Sequence, residues 1–147
     1  MNEEKILEIM TYLETLRWKK EVISPLAYKG KVYRDAKPNT YVCKQSNRKF
    51  TVLTGTHLHN YRSSLIEWDI LVTMLAHGRS EGDIANALGV SDMTRVKMYK
   101  VLYFALHFAK PSRHNVLHDV LVKKLEHRKA SKDFIFKKLL EEREDKI

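Results

Sequence analysis

The stretch from Ser80 to Met98 constrains this chain more than any other. It reads as two short helices joined by a turn that few residue types can make. Ser80, with Asp83 three residues on, opens the first helix, which ends at Leu88. Gly89-Val90 forms a tight turn, with glycine where the backbone must go left-handed. Ser91 caps a longer helix that runs towards Ala109, and Pro111 follows its stop. Ala85 is small because the second helix crosses close over it, and Ile84, Leu88, Val90 and Met98 are the apolar pins that fix the crossing angle. This is a helix-turn-helix pattern. The protruding first turn of its second helix suits a major groove about 12 Å wide. An ordinary helical hairpin is the competing reading. Ala85, Gly89, Val90-Ser91 and Thr94 at their joint offsets favour the helix-turn-helix.

The pattern predicts that the second helix exposes Ser91, Asp92, Met93, Thr94, Arg95, Lys97 and Lys100. Lys97 or Arg95 can donate to guanine O6 and N7. Met93 can touch a thymine methyl, and Asp92 can accept from cytosine N4 or turn phosphate away. Thr94 and Lys100 are better placed for phosphates.

Charge placement points the same way. The net charge is +9 over 147 residues. Residues 19–62 hold ten of the basic side chains against only Glu21 and Asp35, and residues 63–110 sum to zero. Such a concentrated basic segment is the footprint of a polyanion. Lys29, Lys31, Arg34, Lys44, Arg48, Lys49 and Arg62 are the cations expected to grip phosphates. An anionic membrane is a poorer match, because this segment reads as strands rather than an amphipathic helix. No apolar run approaches the roughly 20 residues that span a bilayer. The acidic start, Glu3-Glu4, is unlike a signal peptide. A single cysteine, Cys43, excludes an internal disulfide framework and fits a reducing cytoplasm.

The remainder divides by periodicity. Ile6, Ile9, Met10, Leu13 and Leu16 predict an N-terminal helix within residues 1–20. Residues 21–60 hold short β-prone runs at 31–34, 40–44 and 49–54, broken by Pro38-Asn39 and Ser46-Asn47. Residues 61–110 form the helix-turn-helix domain, introduced by a capping box of Ser64 and Glu67 that opens a helix to Ala76. Residues 111–147 read as two helices, over 114–129 and 132–145, paired as a hairpin suited to dimerisation. The expected fold class is α+β, mostly α: an N-terminal helix, a small antiparallel ribbon, a helix-turn-helix and a C-terminal helical hairpin.

The order of these parts carries a family resemblance. Tyr41, Cys43, Ser46, Phe50 and Thr54-Gly55-Thr56, then Ile66-Glu67-Trp68, then Leu88-Gly89-Val90-Ser91 with Thr94, resemble the DNA-binding region of ribbon-type DDE insertion-sequence transposases. In that family a zinc ribbon precedes the helix-turn-helix. The likeness covers residues 24–105. It implies ligand positions at Ser24, Ala27, Cys43 and Ser46, three of which have lost their cysteine. One thiolate cannot hold a structural zinc, so the ribbon is expected to be degenerate and metal-free. Tyr28, Val32, Tyr33, Tyr41, Phe50 and Val52 would then replace the metal by packing. His57 and His59 read as exposed loop residues and His114 and His118 as surface histidines. The family's catalytic domain carries three carboxylates. The 37 residues after Lys110 are too few for it, and Asp119, Glu126 and Asp133 do not supply it. Similar modules also target some homing endonucleases to DNA.

No phosphate-binding glycine loop, serine nucleophile elbow or His-Glu-x-x-His motif is present in the sequence. The expectation is a non-enzymatic, cofactor-free reader of double-stranded DNA: a transcriptional repressor derived from a mobile-element enzyme, working in the cytoplasm at the nucleoid of a prokaryote or phage. A non-catalytic targeting subunit of a nuclease or recombinase is the alternative. A third is an RNA-binding module, because Tyr33 and Phe50 sit among basic residues.

Overall fold

The computed structural model describes residues 2–107 and 131–141. The described chain is α+β and mostly helical, in agreement with the sequence pattern. Helix α1 (Asn2–Arg17) is followed by strands β1 (Val32–Arg34), β2 (Tyr41–Cys43) and β3 (Arg48–Phe50). Helices α2 (Leu65–Ala76), α3 (Glu81–Leu88), α4 (Asp92–His107) and α5 (Lys132–Leu140) complete it. The predicted helix over 114–129, with His114 and His118, lies outside the described residues. Two compact units result. Among described residues, one runs to Ile66 and takes in Leu140 and Glu141, and the other spans Glu67 to Leu139.

In the first unit, α1 starts with Glu3 and Glu4 and ends with Arg17, charges that suit the helix dipole. Its apolar stripe of Ile6, Ile9, Met10 and Leu13 is buried. The sheet is antiparallel in the order β1-β2-β3, with Tyr41 opposite both Arg34 and Phe50. Asn39 and Asn47 take positive φ, 55° and 54°, where the chain reverses between strands. Asparagine tolerates that region better than most residues. Tyr41 and Phe50 face inward and meet Trp18, which stands edge-on to both at 5.8 and 6.0 Å between ring centroids. Burying each such ring contributes about 1.5–3 kcal/mol. Arg17 fastens α1 to the chain beyond the sheet, donating to the carbonyls of Val52 and Thr54 at 2.7 and 3.0 Å.

Four local expectations need correction. The run at 49–54 is not all strand: β3 ends at Phe50. The Thr54 hydroxyl accepts from Thr51 N–H and the Thr51 hydroxyl from Leu53 N–H, so side chains take the donors a ladder would need. Tyr28 and Tyr33 do not pack the ribbon, being 87% and 48% exposed. Tyr33 is paired with Val42, one residue out of step with the inward-facing Tyr41, so strand alternation turns it outward. Ser64 and Glu67 form no capping box. Ser64 lies in a 3₁₀ turn, Arg62–Ser64, and its hydroxyl donates to Tyr61 O. His57 is buried, while His59 is exposed and accepts from Gly55 N–H.

The second unit has its own core, which includes Trp68, Leu71, Ile84, Met98, Leu102 and Phe136. Helix α2 stops where Gly78 turns left-handed at φ 70°. Gly78 N–H then bonds Leu75 O and Arg79 N–H bonds Met74 O, closing a Schellman motif. Ser131 caps α5 through Phe134 N–H, and Lys132 Nζ reaches Asp69 Oδ1 of α2 at 2.7 Å.

Candidate nucleic-acid interface

Helices α3 and α4 are joined by Gly89-Val90-Ser91, as the pattern predicts. The Ser80 hydroxyl accepts from Asp83 N–H at 3.2 Å to cap α3. Gly89 takes φ 65° and ψ 19°, a left-handed geometry that ends α3 sharply. The Ser91 hydroxyl accepts from Thr94 N–H at 3.1 Å and donates to Thr94 Oγ1 at 2.9 Å. It is therefore committed to the cap, although it is exposed. Ile84, Leu88 and Met98 are buried as pins, and Val90 is half-buried.

The solvent side of α4 carries Asp92, Met93, Thr94, Lys97 and Lys100. Met93 is 72% exposed, a high value for a methionine and a ready apolar contact. Arg95 does not join this surface, contrary to expectation. Its side chain is only 12% exposed. Its Nε donates to Glu81 Oε1 and a terminal nitrogen to Asp92 Oδ1, both at 2.9 Å. Burial opposes its charge, but the Glu81 and Asp92 carboxylates outweigh that, so the guanidinium is held charged more firmly than usual. The other Glu81 oxygen accepts from the Tyr99 hydroxyl. Arg95 is thus a clamp of α4 on α3 rather than a base reader. No pattern of apolar periodicity reports such a clamp. The available sign was a carboxylate, Glu81, which shares the first turn of α3 with Asp83.

The ribbon cations fall into groups. Lys29, Lys31, Arg34, Lys44, Arg48 and Lys49 are all exposed. Lys49 is 3.5 Å from Asp35, whose carboxyl is held below its ordinary value by the Lys37 N–H first and by Lys49 as well. Lys29, Lys44 and Arg34 lie over the rings of Tyr28, Tyr33 and Tyr41 at 5.4, 5.8 and 5.8 Å. Arg62 is engaged by Glu3 in an exposed ion pair, and that partner lowers the Glu3 pKa. Arg62 therefore offers less net charge to a phosphate than its sequence position suggests.

The four aligned positions of the ribbon also converge. The Ser24 and Ser46 side chains lie beside the Cys43 thiol, which is fully buried. These polar neighbours, Ser24 foremost, hold the thiol down to about 7 from its ordinary 9.0. A Cβ on Gly30 would lie 3.0 Å from Cys43 Sγ and 3.3 Å from Ala27 Cβ, so Ala27 borders the same spot. Among described residues, no three His, Cys, Asp or Glu side chains cluster in a way that could hold a metal ion. No described helix is long and apolar enough to cross a membrane. Comparison with protein-family models, curated proteins and solved structures finds no match to this chain.

Proposed function

We propose that this chain is a sequence-specific reader of double-stranded DNA, acting as a transcriptional repressor and derived from a mobile-element enzyme. One observation carries the reading. The first three turns of α4 expose Met93, Thr94, Lys97 and Lys100, while Ser91 caps the helix and Arg95 locks it to α3. A helix held on one side and polar on the other is what a major groove accepts. Lys97 is the donor assigned to guanine, and Met93 the contact assigned to a thymine methyl. Lys100 and the ribbon cations take phosphates, which set affinity but not sequence. The convergence of Ser24, Ala27, Cys43 and Ser46 supports descent from a metal-bearing ribbon. Pairing of two copies through the C-terminal helices would match a two-fold site at the nucleoid.

The test is a footprint or mobility shift against genomic fragments at moderate salt. Discrete protected sites are expected. Equal binding to every fragment would end the reading.

A further inference from the structure

The ribbon carries two lysine-tyrosine pairs that neither packing nor the helix-turn-helix uses. Tyr28 is 87% exposed, with the Lys29 ammonium 5.4 Å from its ring centroid. Tyr33, on the outward face of β1, is 48% exposed, with Lys44 at 5.8 Å. Tyr28 also borders an open cleft of about 560 Å³, lined among others by Ile23, Lys29, Lys31 and Val32. Its size lies within the about 300–1,000 Å³ of small-molecule clefts. Glu21 is the one carboxylate on its wall, against two lysines.

An exposed tyrosine leaves a large flat surface in water, and an ammonium on one face leaves the other to meet a planar partner. Stacking rings interleaved with lysines are the two elements that hold an unpaired strand. We propose that this cleft, with Tyr28 at its edge and Lys29 and Lys31 beside it, takes an unpaired nucleotide of a single strand, and that Tyr33 stacks a further base. A duplex keeps its bases stacked inside and cannot offer a face to Tyr28. The site is therefore distinct from the α4 surface and does not rest on that reading.

The test titrates the full chain into a short fluorescein-labelled oligothymidylate and the matching oligouridylate, read by anisotropy. A duplex of the same length and a polyglutamate run in parallel. Both single strands are expected to bind, and the tighter one identifies the natural source. Tyr28→Ala should weaken both by at least about fivefold, the lower end of one lost base stack. Tyr28→Phe should keep affinity within about twofold, because the ring rather than the hydroxyl stacks. Lys97→Ala should leave single-strand affinity unchanged. If it abolishes duplex sequence preference as well, both sites stand. If the duplex shows no preference while Tyr28-dependent strand binding persists, only the helix-turn-helix reading falls. Failure to bind either strand, equal affinity of Tyr28→Ala and the parent chain, or the same Tyr28 dependence with polyglutamate would overturn the proposal.

Discussion

Arg95 shows how far one side chain can depart from its place in a pattern. Its position on α4 points to the reading face, yet Glu81 and Asp92 draw the guanidinium back across the helix. Removing it leaves Glu81, a mostly buried carboxylate, with the Tyr99 hydroxyl but without its cation. Arg95→Ala should destabilise the protein by about 1–3 kcal/mol, as expected when a buried partner loses its bond. Chemical denaturation would show a lower midpoint at unchanged slope. Cys43 gives a second prediction at this scale. Its thiol titrates at about 7 instead of 9.0, so the unfolded state binds the extra proton between those values. Stability should therefore rise with pH across that window and be lost as pH falls through 7. Thiolate absorbance should show the low midpoint, and Ser24→Ala should raise it.

Among elements, the turn between α3 and α4 decides the geometry. Gly89→Ala places a side chain at φ 65°, where L-residues are strained by roughly 1–2 kcal/mol. Ser91→Ala removes the α4 cap, worth about 1 kcal/mol. Both should lower the thermal midpoint, and both should loosen DNA binding because the first turn of α4 frays. Replacing Ser91 by Thr instead of Ala should keep most of the cap, whereas the strain of Gly89→Ala should persist. Lys97→Ala should behave differently, leaving stability unchanged and lowering discrimination between sites by about 1–3 kcal/mol. Competition between specific and random duplexes separates these outcomes.

For the molecule as a whole, the governing quantity is charge placement. The ribbon segment carries most of the excess, and the helix-turn-helix stretch is neutral. Affinity for any duplex should fall linearly with log salt, because phosphate contacts release counterions. Arg48→Ala should weaken binding to all sequences alike and flatten that slope by about 0.9 if it contacts one phosphate. An effect on one sequence only would contradict the division between a gripping ribbon and a reading helix.

Local chemistry made much of this legible in advance. Helix α1, three short strands, the glycine stop at 78 and the capped pair α3-α4 follow from apolar period, turn residues and side-chain caps, all short-range. The Thr51–Thr54 segment escaped because β-branched residues suit a strand until their hydroxyls claim the backbone donors. Other facts are set only in three dimensions. Strand register turned Tyr33 to solvent and Tyr41 to the core, a choice that a one-residue slip would reverse. Partners 14 residues apart pulled Arg95 from the surface of α4. The loop before β1 and the β2-β3 turn brought two serines to one thiol. Sequence by itself determined which segments fold and where they stop, because those signals lie within one or two turns of chain. Only the tertiary structure decided which charged and aromatic side chains remain for a partner, because that depends on neighbours the chain supplies from far away.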